Sequence, residues 1–224
     1  MTKKKLLTVV AAATANLCMM ASGAQAATVF DNGGPADNGN EVSQWVQAED
    51  FTLASAANLT GAKVNLFTFG ASLTDVPLNY YIFAHDGNNP GGLLASGTGN
   101  SVTITENGVG YGGRTIYAVS FNFVDAFSAA ANTTYWFGIH ATDQFNRAEI
   151  YFASSAANGT NSAENYLGSF NNWNNNGAEH SFSLQGDFGS AVPEPTTWAM
   201  MIVGFGTVGT MVRTSRRRNA FSAD

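Results

Sequence analysis

In Thr115-Ile116-Tyr117-Ala118-Val119-Ser120-Phe121-Asn122-Phe123, the large side chains of Tyr117, Val119, Phe121 and Phe123 alternate with Ala118, Ser120 and Asn122. Only an extended chain puts such residues on one face, because successive side chains of a strand point to opposite sides. The pattern returns late in the chain, where Phe182 and Leu184 stand between Ser181, Ser183 and Gln185. Residues 45–53, 59–69, 78–84, 101–105, 134–140 and 149–154 are further short segments rich in aromatic and β-branched residues, separated by Gly, Asn, Asp and Pro clusters. Capped stretches of helical period are missing from residues 29–188. This combination predicts an all-β, antiparallel, jelly-roll-like sandwich and disfavours a parallel α/β sheet.

The connections agree. Asp86-Gly87-Asn88-Asn89-Pro90-Gly91-Gly92 collects residues that tolerate tight turns, and Asn107-Gly108 with residues 110–113 marks a further hairpin or loop. Residues 126–132 are the one place where a short helical turn is expected. Residues 158–165 and 171–177 read as polar loops, the second carrying Trp173. No repeat of 20–50 residues is present, which disfavours solenoids and propellers.

Charge is segregated along the 224 residues. Seven of the ten cations lie in the two ends, at Lys3, Lys4, Lys5, Arg213, Arg216, Arg217 and Arg218. Residues 28–190 keep only Lys63, Arg114 and Arg147 against fourteen carboxylates, a net charge of −11. Such a surface repels nucleic acid, whose binding depends on neutralising phosphates. The single cysteine, Cys18, lies in the N-terminal signal described next, so the exported region is expected to rely on packing without disulfides.

Both ends read as processing signals. Lys3-Lys4-Lys5 precedes an apolar stretch, residues 6–20, and Ala24-Gln25-Ala26 supplies a small-x-small cleavage site. A signal peptidase is expected to cut there, so that the mature chain begins at Ala27. At the other end Pro193-Glu194-Pro195 precedes an uncharged apolar run, residues 198–212, and then the four arginines. Arginines after an apolar run place that end in the cytoplasm and everything before it outside. The run has 15 residues, short of the roughly 20 that span a bilayer core, which suits transient retention in the inner membrane. The chain thus divides into a signal peptide (1–26), an exported domain (27–190), a C-terminal signal with a short transmembrane helix (191–218) and a tail (219–224).

Within the C-terminal signal, Pro193-Glu194-Pro195, Trp198-Ala199-Met200-Met201-Ile202, Gly204-Phe205-Gly206, Gly209 and the basic end closely resemble the PEP-CTERM sorting domain in its PEPxxWA variant. The resemblance implies recognition by an exosortase, a membrane-embedded transpeptidase-like enzyme. It also implies processing near Pro193-Glu194-Pro195 and export to the cell envelope or beyond, often beside extracellular polysaccharide. The exported region is more loosely similar to a jelly-roll-like module of exported bacterial proteins, through residues 44–53, 88–97, 132–137 and 182–187. That likeness concerns fold alone.

Candidate sites are few. His85, His140 and His180 are far apart with no ligand spacing, the mature chain has no cysteine nucleophile, and no G-x-S-x-G elbow occurs. Adjacent Glu49 and Asp50 would point to opposite faces of a strand and so form no acid–base pair. A non-enzymatic protein without cofactor is expected, with a glycan-acting enzyme as the less favoured alternative. Asp31, Asp37 and Glu41 in a Gly-rich segment are a weak candidate for structural calcium, against the reading of a solvated acidic turn. Asn172, Trp173 and Asn174 join an aromatic face to amide hydrogen-bonders, the chemistry of glycan contact; the competing expectation is that Trp173 tucks back onto the sandwich edge. Gly204 to Gly209 fit G-x-G-x-x-G, but inside an apolar run and without a following acidic residue they are no dinucleotide site.

Overall fold

The computed structural model describes residues 26–156, 162–188 and 205. Among them the chain forms β1 (Ala27–Asp31), β2 (Pro35–Glu41), β3 (Trp45–Thr52), β4 (Ala57–Thr68), β5 (Leu78–Asp86), β6 (Asn89–Thr98), β7 (Asn100–Val109), β8 (Thr115–Ala129), β9 (Thr134–Ala141), β10 (Ile150–Ser155), β11 (Ala163–Tyr166), β12 (Asn174–Asn175) and β13 (Phe182–Phe188). All pairings between them are antiparallel. The strands build two sheets, and the fold is an antiparallel β-sandwich.

The first sheet is organised on the twelve-residue β4. One edge of β4 pairs with β8, which in turn pairs with β7. Along its other edge lie β13, over Ala57 to Val64, and then β10, over Leu66 to Thr68; β1 and β2 flank these two. The second sheet runs β12-β11-β3-β9-β5-β6. Alternating residues of both sheets meet in one core, with Val64, Phe121 and Phe182 from the first and Phe51, Ile82 and Phe137 from the second. Ring centroids of Phe137 and Phe182 lie 5.1 Å apart across that interface. The alternation in residues 115–123 therefore means what it predicts: Val119, Phe121 and Phe123 are buried while Asn122 is exposed.

The structure corrects several expectations. Residues 126–129 continue β8 and make no helical turn, because Ala57, Asn58 and Leu59 of β4 pair with them. The described helical turn is a 3₁₀ turn at Tyr111–Gly113. The acidic segment expected as a loop, whether a solvated turn or a weak calcium candidate, contains β2, a strand with almost no apolar residue, held by backbone pairing to β10. The hairpin expected at residues 86–92 is tighter than its sequence suggests: Gly87 and Asn88 alone separate β5 from β6, and Gly87 takes the positive φ (61°) that a two-residue turn demands. Pro90 is tolerated because β6 is an edge strand.

The chain enters and leaves the sandwich at one end. Ala27 pairs with Gly186, and Phe188, where β13 stops, pairs with Ala57 at the start of β4. Ala24, the sorting residues Pro193, Glu194, Pro195, Trp198 and Ala199, and Arg213, Arg216, Arg217 and Arg218 lie outside the described residues. Among the described residues no helix is long and apolar enough to cross a membrane.

Candidate functional site

Sheet strands fix side chains by register, and loops laid on their outer faces create the recesses. A recess of about 860 Å³ is an open groove between the β5–β6 hairpin and the loop after β11. Asp86 and residues 89–92 form one wall and residues 170–174 the other. Asp86, Asn89, Asn171, Asn172 and Asn174 are exposed along it.

The loop wall is held from below. Tyr81 and Phe83 on β5 and Ala48 on β3 present an apolar patch on the outer face of the second sheet, and Phe170 and Trp173 close over it. Trp173 meets Phe83 edge-on at 5.1 Å and lies parallel to Phe170 at 6.1 Å. Asn165 on β11, fully buried, ties the loop's backbone: its Nδ2 donates to Asn172 O (2.8 Å), and its Oδ1 accepts the Phe170 N–H (3.0 Å). Phe170 can hold its left-handed φ of 57° because both its ring and its N–H are pinned. The groove is therefore polar at its lips and aromatic beneath.

The structure thus brings Asn172, Trp173 and Asn174 together on one wall, and it gives Trp173 a double role. The ring is half-buried and anchors the loop, as the alternative expectation had it, while its remaining surface lines the groove. Asn165 and Asp86, which complete the arrangement, were not singled out in the sequence. An Asn five residues before an aromatic loop residue is a faint signal, and Asp86 looked like turn punctuation.

A second constellation is hidden between the sheets. Glu49 on β3 and His180, just before β13, are both completely buried. Glu49 Oε2 accepts the His180 backbone N–H at 2.9 Å and lies 3.3 Å from the ring Nδ1. Burial pushes Glu49 up to about 8, with Asp50 adding to the effect and the His180 N–H opposing it. Burial pushes His180 down to about 4, against the nearby Glu179 and Glu164 carboxylates. Near neutrality the carboxyl keeps its proton and the imidazole stays neutral, because neither charge is solvated there. Asn32, just after β1, donates to His180 O (2.9 Å) and Asn65 on β4 to Ser181 Oγ (2.8 Å), so the first sheet holds this segment while Glu49 on β3 holds it to the second. The pair opens onto no described groove, and Glu49 and Asp50 do face opposite ways, one buried and one partly exposed.

The other candidates stay apart. His85 Nδ1 accepts the Trp136 indole N–H (3.1 Å), and His140 Nε2 lies 2.9 Å from Ser43 O with its ring against Phe145. Asp31 Oδ1 accepts the Gly33 N–H, Asp37 is exposed on β2, and the Glu41 carboxylate is taken up by Ser43 and by the Gln44 N–H. Among the described residues no group of three His, Cys, Asp or Glu could hold a metal ion. Asp31, Asp37 and Glu41 are not brought together.

No curated protein matches the chain. One family model does: the PEP-CTERM protein-sorting motif matches residues 191–218, the segment that follows directly on the end of the sandwich. The motif marks an exported protein, transiently anchored in the membrane and handled by an exosortase-type system. The chain is therefore an antiparallel β-sandwich carrying a C-terminal PEP-CTERM sorting motif.

Proposed function

We propose that the exported sandwich is a non-enzymatic, cofactor-free module that holds extracellular polysaccharide in the cell envelope or matrix, through the groove between residues 86–92 and 170–174. The observation that carries this reading is the groove itself. Exposed Asn172, Asn174, Asn89 and Asp86 offer donors and acceptors at its lips, over the aromatic surface of Trp173 and Phe170. A sugar ring needs both parts, directional bonds to its hydroxyls and an apolar face for its C–H groups. The reading as a binder draws support from Glu49 and His180, the strongest acid–base pair, being sealed from either sheet's surface. A signal peptidase and an exosortase-type enzyme act on the chain; polysaccharide is what its cargo domain contacts.

A glycan array tests this. Specific binding is expected and should be lost in Asn172→Ala/Asn174→Ala, whose exposed side chains contribute nothing to the loop's anchoring. Trp173→Ala is the poorer test, because removing the ring also frees the loop. Binding undiminished in the double variant would place the ligand elsewhere, and release of reducing ends from a bound glycan would favour the enzyme reading.

A further inference from the structure

A smaller recess, about 310 Å³, lies on the first sheet, lined by Phe67, Phe69, Tyr111, Tyr151, Asn38 and Gly39. Its floor is a continuous aromatic cluster. Phe67 and Tyr151 stack at 5.2 Å with an 11° interplanar angle, and Phe69 packs edge-on to both. Tyr111, on the 3₁₀ turn, reaches Phe69 at 6.0 Å and remains 55% exposed. Gly39 is required where it stands: a Cβ there would collide with Phe152 O and the Phe67 ring.

Charge singles this recess out. The described residues hold three lysines and arginines in all, on a domain otherwise crowded with carboxylates. Two of them flank it, each against one of its lining rings. The Arg114 guanidinium lies 4.5 Å over the Phe69 ring, and Arg147 Nη2 donates to the Tyr151 hydroxyl (3.3 Å). Arg147 has a loose partner in Glu149 at 3.9 Å, screened by solvent because both side chains are exposed, and the Glu41 carboxylate also acts on it. Arg114 makes no ion pair among the described residues. A guanidinium held over a ring face by its charge still has N–H groups to offer a carboxylate in fork geometry.

We propose that this recess binds a uronate unit of an acidic polysaccharide, the pyranose C–H face against Tyr111 and Tyr151 and the carboxylate at Arg114 and Arg147. The volume sits at the small end of ligand pockets, which suits one ring of a longer chain. The recess is also at the far end of β4 from Ala57, where the chain leaves toward its sorting motif. At about 3.3 Å per residue, that is roughly 35 Å away. A polymer can reach it while the tail is still engaged at the membrane. This site does not depend on the groove of residues 170–174.

The test uses the full chain in detergent solution, titrated with three uronate polymers (polygalacturonate, alginate and hyaluronan), with neutral dextran and with dextran sulfate. Binding to at least one uronate polymer is expected, weakened about tenfold or more in both Tyr111→Ala and Arg114→Gln and unchanged in Asn172→Ala. Both substituted side chains are exposed, so unchanged urea midpoints should accompany the loss. Failure to bind any uronate polymer, or binding that survives either substitution, overturns the proposal. So does dextran sulfate binding as tightly as the uronates and indifferent to Tyr111→Ala, which would reduce the site to charge alone. Loss of neutral-glycan binding in Asn172→Ala/Asn174→Ala reads out the other groove separately.

Discussion

Replacing Glu49 by Gln should remove a pH dependence of stability that the wild-type sandwich carries above pH 6.5. Gln keeps the shape, and its oxygen still accepts the His180 N–H that Glu49 accepts at 2.9 Å. What it lacks is the proton that burial holds on Glu49 up to about pH 8, against an ordinary value of 4.5. A carboxyl whose folded value is raised contributes stability that is fully present below its unfolded value and lost as pH rises through the folded one. His180 acts oppositely: its value falls from 6.5 to about 4, so its contribution is complete above pH 6.5 and lost as pH falls toward 4. From pH 4.5 to 6.5 folded and unfolded states each hold one proton on this pair, and the two slopes cancel.

Above pH 6.5 only the Glu49 slope remains. Each unit corresponds to about 1.4 kcal/mol, so the interval from 6.5 to 8 should cost the wild type about 2 kcal/mol. Urea unfolding of residues 27–190, which contain every described strand, gives the free energy at pH 5, 6, 7 and 8. The difference between wild type and Glu49→Gln cancels the titration of all other groups. It should fall by about 2 kcal/mol from pH 6.5 to 8, in the direction that makes the variant relatively more stable in base. A difference that stays constant across that window would show that Glu49 is ionised in the folded protein, and the argument from burial would be wrong.

Three further outcomes can be checked. Asn165→Ala should cost about 1–3 kcal/mol in urea unfolding, since it strands the Phe170 N–H and Asn172 O, and should weaken glycan binding at the groove without touching its exposed residues. Phe137→Ala, a fully buried ring stacked on Phe182 and Phe123, should cost about 3–5 kcal/mol, which thermal unfolding would record. Intact-mass analysis of the envelope fraction should find a chain beginning at Ala27 and lacking the apolar run and arginines; recovery of Arg213 to Arg218 on mature protein would contradict processing at the sorting motif.

The parts of the fold that show in the sequence are those where burial on one face forces alternation. β4, β8, β9 and β13 carry their apolar residues at a period of two, or in continuous runs, because they face the shared core. β2, β6 and β11 escape the eye for the converse reason. Their pairing is by backbone at the margins of the sheets, and Pro35 to Glu41 buries no apolar side chain that would mark it. The groove was half visible. Asn172, Trp173 and Asn174 show as an aromatic among amides, but the opposing wall lies roughly eighty residues earlier, in β5 and β6, joined only by folding. The Glu49–His180 pair was invisible, since 131 residues separate partners whose importance comes wholly from being dry. Charge misled in the opposite sense: an acidic domain suggested only what it repels, while the placement of Arg114 and Arg147 on one aromatic recess is a three-dimensional fact.

The strand order gives the molecule a direction, and the direction bears on function. β1 begins at Ala27 and β13 ends at Phe188, both near the start of β4, so the chain enters the sandwich at the same end from which it continues toward the sorting motif. The end carrying Ala57 and Phe188 is the one from which the chain continues toward that motif. β4 then runs outward to Phe67 and Thr68, and places the aromatic recess at the distal pole. A sandwich of this kind needs no disulfide to hold that geometry, because antiparallel ladders join β13 to β4 and β1 to β13. Cleavage of the motif would release the near end without disturbing a single pairing of β13. The strands beneath both recesses are thus the same before and after sorting, so the proposed binding should not depend on whether the motif has been removed.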